Sequence, residues 1–160
     1  MTMDPQSQRR LLAASGYAEL SLFQEAVQEL EDLPEPFKGQ PTVLAVWLDV
    51  YQRWKKWSEA EFVAARLCEI EPDMPDWVIG LAYAARRNRG LRLADDILKE
   101  AAEKFPDCAT IQFNLACYAA QLGHTDEALV RLRRAIDIDK AYAALARTDP
   151  DLEPLRNRIG

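Results

Sequence analysis

The stretch GHTDEALVRLRRAIDID, residues 123–139, opens on a glycine and a capping residue, then carries Ala128, Leu132 and Ala135 at helical spacing. Ala128 has counterparts 34 residues apart up the chain, at Ala94, Ala60 and Ala26. Alanine is common in this sequence, so phase alone decides little. Several other columns repeat at the same interval. Four residues after each alanine stand Leu30, Ala64, Leu98 and Leu132, and seven after stand Leu33, Leu67, Ala101 and Ala135. Nine before stand Tyr17, Tyr51, Ala85 and Ala119. Twelve before stand Ala14, Leu48, Ala82 and Ala116, and thirteen before stand Ala13, Trp47, Leu81 and Leu115.

These intervals describe two helices per unit, one apolar at i, i+1 and i+4, the other at i, i+4 and i+7. Prolines cannot continue a helix and mark each hand-over: Pro34 and Pro36, then EPDMPD (71–76), then FPD (105–107). The spacing predicts first helices over 5–19, 41–54, 75–87 and 108–121, and second helices over 23–33, 58–70, 91–104 and 125–138. Ser58 with Glu61 reads as a capping box, and Thr125 as the cap of the last second helix. A further helix is expected from Asp139 to Arg147. Asp149-Pro150 then opens a short turn as cap and first residue. The alanine column is expected where two helices cross, because only small side chains let backbones approach closely.

On these residues the chain resembles the tetratricopeptide repeat family, a 34-residue helix–turn–helix unit with the pattern W-x2-L-G-x2-Y, A-x3-F, A and P. The most similar units read TVLAVWLDVYQRWKKWSEAEFVAARLCEIEPD and TIQFNLACYAAQLGHTDEALVRLRRAIDIDK, and NLACYAAQLGHTDEA is the most specific piece. The likeness spans roughly residues 7–142. There are departures: the family's first Trp is Arg10, Leu44, Val78 and Gln112, and its turn glycine is Ser21, Lys55 and Arg89 in the first three units. The first unit is the weakest, with Arg10 at an apolar position and the interrupted exit LPEPFKGQP. The resemblance implies an all-α, right-handed superhelical array of antiparallel helix pairs. It would hold about four units (7–40, 41–74, 75–108 and 109–142) and a closing helix and tail (143–160), all in one domain. Terminal repeats diverge because one side faces water.

Composition agrees with a folded chain: 160 residues, 49% hydrophobic, net charge −6. An acidic balance argues against a nucleic-acid partner. No apolar run reaches the length of a membrane helix, so membrane insertion is not expected. Three cysteines (Cys68, Cys108, Cys117) without a C-x-x-C, and an N-terminus without an apolar leader core, point to a reducing, cytoplasmic setting.

Catalytic signatures are absent. The single histidine, His124, lies in a turn, and no Walker, G-x-S-x-G or G-x-G-x-x-G motif occurs. No enzyme activity, cofactor or metal is expected. Asp95-Asp96 and Asp149/Asp151 read as charges at helix starts, and RLRR (131–134) and Glu29, Glu31, Asp32 and Glu35 as solvated faces. Trp47 belongs to a packing column; Trp54 and Trp57 bracket a turn, plugging it or forming an exposed patch.

In a tetratricopeptide array the first helices line a concave face. Off the packing columns these would present Asp49, Gln52 and Arg53; Ile79, Tyr83, Arg86 and Arg87; and Phe113, Asn114, Cys117 and Gln121. Such a face would bind a peptide or helical segment of another protein, with Ile79, Tyr83 and Phe113 as anchors. Arg86 and Arg87 would pair with carboxylates or complement their helix dipole. The family's clamp for acidic chaperone tails needs Lys, Asn, Asn, Lys and Arg. The matching positions here are Leu11, Ser15, Val46, Asp76 and Gly80 in one frame. In the other they are Ala45, Asp49, Gly80, Thr110 and Asn114, so neither frame supplies that set. Alternatives are a small secretion-type chaperone and a homo-oligomer, such as a homodimer, built through the first unit or the tail DLEPLRNRIG. The closing helix would either block the groove or cover the last unit through Tyr142 and Leu145.

Overall fold

The computed structural model describes residues 1–159, and those residues are helical with no strand. Eight helices form the repeating pairs: α1 (Pro5–Glu19) with α2 (Phe23–Glu31), and, after the short α3 (Glu35–Lys38), α4 (Pro41–Arg53) with α5 (Trp57–Ile70). Then come α6 (Pro75–Asn88) with α7 (Leu91–Lys104), and α8 (Ala109–Gln121) with α9 (Thr125–Ile138). The chain closes with α10 (Ala141–Thr148), a 3-10 helix (Pro150–Leu155) and α11 (Arg156–Ile159). Among the described residues no helix is long and apolar enough to cross a membrane.

The chain forms two compact units, residues 1–84 and 85–160, with the boundary inside α6. In the first, α1 packs on α2 and α4, and α4 packs on α5. Ala14, Ala18, Ala26, Leu30, Leu33, Val43 and Val50 make one buried cluster; Leu48, Ala60, Val63, Ala64, Leu67 and Ala84 make a second. Trp47 packs against both clusters, stacked on Tyr51 at 5.4 Å. In the second unit α8 is the central element, packed on α7, α9 and the 3-10 helix. Nine of its residues are buried, from Ile111 to Ala120.

Ala26, Ala60, Ala94 and Ala128 are all fully buried. The turn inside each pair has its own repeated chemistry. Leu22 N donates to Tyr17 O, Lys56 N to Tyr51 O and His124 N to Ala119 O, each at 2.8 Å. Ser21 N donates to Ala18 O, Lys55 N to Gln52 O and Gly123 N to Ala120 O. This is the Schellman pattern, which needs a left-handed residue one place past the helix end. Ser21 (φ 60), Lys55 (φ 62) and Gly123 (φ 83) supply it. In the third pair the glycine falls one position later. There α6 runs one residue further and Gly90 takes the left-handed place at φ 120, with Arg89 N donating to Ala85 O, while the bond from Gly90 N to Ala85 O keeps the register of the other three turns.

Several local expectations need correction. Trp57, not Ser58, begins α5, and Thr125 is already inside α9; neither Ser58 nor Thr125 caps its helix. The Schellman turn delivers the chain directly into the second helix, so the cap residue is Lys56 or His124, without a side-chain bond. The exit LPEPFKGQP contains α3, which buries Phe37. Arg10 is not a misplaced apolar residue: it pairs with Glu29 at 3.0 Å and Asp32 at 3.6 Å, so those two acids are not simply solvated. Arg131 donates to Gln112 and Arg134 to Asp107 and the Pro106 carbonyl, so RLRR ties α9 to the α8 pair rather than only facing water. Asp95 is buried and bound to Lys99 at 2.9 Å. Asp149 caps the 3-10 helix as expected, accepting from Asp151 N at 2.9 Å, with Pro150 next.

Candidate functional site

The first-helix face in unit 85–160 is built on α8 and the end of α6. Along α8, residues at helical spacing bring Thr110, Phe113, Asn114, Cys117 and Gln121 to one side. That side is covered by the chain's own C-terminal segment. Two prolines shape it. Pro150 sits at the first position after the Asp149 cap, and Pro154 lies inside the 3-10 helix. The segment presents Asp151, Leu152 and Leu155 inward, and both leucines are fully buried. Each contributes roughly 1.5–3 kcal/mol by leaving water.

Its polar anchor is Arg86. Both terminal nitrogens of the guanidinium donate to Asp151, at 2.7 and 2.9 Å, while its central carbon lies 5.4 Å from the centre of the Tyr118 ring. This is the paired, planar geometry that arginine favours for a carboxylate. The bond to Asp151 is the first cause holding Arg86 above its ordinary pKa, against the opposing effect of burial. Burial pushes the Tyr118 phenol up to about 12, partly offset by Arg86. Gln121 donates its amide to the main-chain oxygen of Asp151 at 2.8 Å. Next to it, α10 brings Tyr142 onto Phe113, ring centres 4.9 Å apart, and its hydroxyl hydrogen-bonds the Thr110 hydroxyl at 2.6 Å.

Cys117 lies beneath this segment. Burial, then the Asp149 and Asp151 carboxylates, push its thiol far above the ordinary value, so it is neutral. Ligand atoms of Cys117, Asp149 and Asp151 all fall within 4.8 Å of one another. A cation there would compete with the Arg86 guanidinium for Asp151 and would need a deprotonated thiol. The grouping therefore reads as part of the ion-pair anchor.

Among the residues expected on this face, Arg86, Phe113, Cys117 and Gln121 meet the closing segments, and Asn114 is half-buried beside them on α8. Tyr142 packs onto Phe113 as the closing helix requires, whereas Leu145 is 51% exposed. Arg87 is exposed at the end of α6.

In unit 1–84 the same kind of face stands on α4 and the start of α6. Arg53 Nε donates to both oxygens of Asp49 at 3.0 Å, one turn apart. Gly80 lets α6 come close: a Cβ there would lie 3.3 Å from Leu48 and 3.7 Å from the Gln52 amide. Ile79 is half-buried, and Tyr83 is exposed with its ring edge-on to Trp57 at 5.8 Å. Trp57 thus supports Tyr83, and Trp54 stacks on Phe23 at 5.4 Å, plugging its turn.

An apolar groove of about 470 Å³ lies between α4 and α5, lined by Leu44, Trp47, Tyr51, Phe62 and Val63 with Ser58 and Glu59. Sequence reasoning missed it by assigning Trp47 and Tyr51 wholly to packing. The available signal was Phe62, which is 77% exposed at a position where the other units carry Gln28, Asp96 and Val130.

No family model matches the chain, and no curated protein does. Solved structures of MamA, a tetratricopeptide-like protein, do match. MamA 41-end from Desulfovibrio magneticus RS-1 is 13% identical over 99% of this chain and 93% of that one, with a TM-score of 0.72. MamA AMB-1 is 17% identical over 98% and 84%, with a TM-score of 0.66. MamA MSR-1 is 18% identical over 98% and 97%, with a TM-score of 0.64. At these identities the likeness shows the fold: this chain has the tetratricopeptide-type helical-repeat fold of those chains.

Proposed function

We propose that this chain is a non-catalytic protein-interaction scaffold that takes peptide or helical segments of partner proteins on its first-helix faces. Each compact unit offers one such face, and the four helix pairs serve as one tetratricopeptide array of about four units with a closing tail. One observation carries the reading. The α8 face already holds a chain segment in the manner of a ligand, with two buried leucines, a carboxylate on Arg86 and a main-chain oxygen on Gln121. In unit 1–84 the counterpart face offers Asp49, Gln52, Arg53, Ile79 and Tyr83, an aromatic with apolar and charged neighbours, which is the mix that interface anchors use. The fold it shares with MamA supports a scaffold role.

The test is affinity capture from a source lysate with wild type beside a Tyr83→Ala/Arg53→Glu variant whose helicity is unchanged by circular dichroism. A partner held by wild type and lost by the variant is the expected result. The same partner held equally by both would move the site off this face.

Self-association is a second reading, favoured by α1 and its exit turn. Leu12 is 75% exposed and Leu20 is 70% exposed, on the first unit expected to carry such contacts. A mass by light scattering that rises with concentration, and falls to the monomer with Leu12→Arg/Leu20→Arg, is what this reading requires.

A further inference from the structure

We propose that the α8 face is a docking site for a partner segment with the tail's own chemistry: a carboxylate followed by leucine-type side chains one and four positions later. The tail is its built-in competitor. This rests on the reading that first-helix faces take partner segments, and adds what the segment must look like.

The pocket side of the interface dictates the ligand. Arg86 is only about a quarter exposed and its guanidinium is fully engaged by Asp151 in fork geometry. Without that carboxylate a half-buried cation would stand unpaired, which is costly in a partly desolvated site. Any segment replacing the tail must therefore bring an acid to the same point. Gln121 reads only a main-chain oxygen, a contact that every peptide satisfies and that fixes its position rather than its sequence. Leu152 and Leu155 are completely buried, so the replacement must fill both places with aliphatic side chains of similar size.

The segment itself is built to leave as a unit. It is a 3-10 helix, with weaker internal hydrogen bonds than an α-helix, and Pro154 inside it has no N–H to donate. Pro150 and Pro154 restrict its free state, so docking orders little chain. Helix α10 has a separate attachment through Tyr142 to Phe113 and Thr110, and stays when residues 149–159 move.

The experiment measures binding of a fluorescent peptide of residues 148–157, TDPDLEPLRN, to the full chain by anisotropy. Wild type, Asp151→Lys and Leu152→Ala/Leu155→Ala proteins are compared, each checked by circular dichroism. Wild type is expected to bind weakly because its tail competes. Asp151→Lys, whose tail is repelled by Arg86, is expected to bind at least about tenfold more tightly. A peptide carrying Asp151→Lys should bind that protein about tenfold more weakly, and Arg86→Glu should reverse the preference between the two peptides. In wild type, excess peptide should speed hydrogen exchange at the Leu152 amide, which is bonded to Asp149 O at 3.1 Å.

The proposal is overturned if the folded Asp151→Lys and leucine variants bind the native peptide no better than wild type. It is also overturned if a scrambled peptide of the same composition binds as well and Arg86→Glu changes nothing. The scrambled result leaves the general segment-binding reading standing. Failure of every peptide on every released variant removes both for this face.

Discussion

Two turn residues adopt a backbone conformation that their side chains disfavour. Ser21 and Lys55 sit at φ 60 and 62, where the fourth unit uses Gly123. A left-handed non-glycine residue costs roughly 1–2 kcal/mol, and glycine returns part of that as chain entropy. Lys55→Gly is therefore expected to stabilise the protein by about 1 kcal/mol, read as a higher urea midpoint at unchanged slope. A lower midpoint would show that Lys55 contributes through its side chain instead. The alanine column runs the other way. Ala94 is fully buried, and Ala94→Phe is expected to overpack its surroundings and cost roughly 1–3 kcal/mol. An unchanged melting temperature would place Ala94 away from any close helix approach. Both residues were readable in advance: the interval exposes the column, and the missing glycines mark where strain is tolerated. What the interval does not reveal is that α6 runs one residue further to meet its displaced glycine, while the bond from Gly90 N to Ala85 O stays in register with the other turns.

At the level of elements, the 3-10 helix is the closing piece of unit 85–160. Leu152→Ala should cost roughly 2–5 kcal/mol, because a fully buried side chain leaves a cavity that α8 cannot close. Residues 149–155 should then lose hydrogen-exchange protection before α8 and α9 do; simultaneous loss would make the segment part of the core. The same contact sets an alkaline limit. Cys117 is held above its ordinary value of 9.0 by burial and by Asp149 and Asp151. Below that value the thiol is neutral both folded and unfolded, so the full stability is present. As pH rises past about 9, the unfolded chain ionises first and stability falls. Cys117→Ala should flatten the stability profile between pH 8 and 10, relative to wild type in the same buffers. An unchanged slope would mean that other groups set it. Helix boundaries came through from proline and cap signals to within a few residues. The caps at Ser58 and Thr125 did not, because a Schellman turn leaves no loop residue for them to occupy.

At the level of the whole chain, the division into two compact units falls inside α6. Stability in repeat folds is a sum of local terms, so damage in one unit should register there first. Ala94→Phe is expected to raise amide exchange in residues 85–160 more than in 1–84, measured by mass spectrometry of peptic fragments. Equal loss throughout would mean one cooperative block.

The class of fold and the order of the helix pairs are legible in the chain itself, because a 34-residue period combined with helical spacing leaves one kind of solution: paired helices stacking apolar columns. The sequence also places the polar and aromatic residues of the first helices on one side, since helical spacing fixes which residues share a face. Which of them pair with distant side chains is fixed by the folded chain. Arg86 and Asp151 stand 65 positions apart in the chain, and nothing periodic links them. The same holds for Arg10 with Glu29 and for Tyr142 with Phe113. Periodicity reports which side of a helix is apolar. What covers that side depends on where a non-repeating tail comes to rest, and that is settled by shape and charge complementarity between segments distant in sequence.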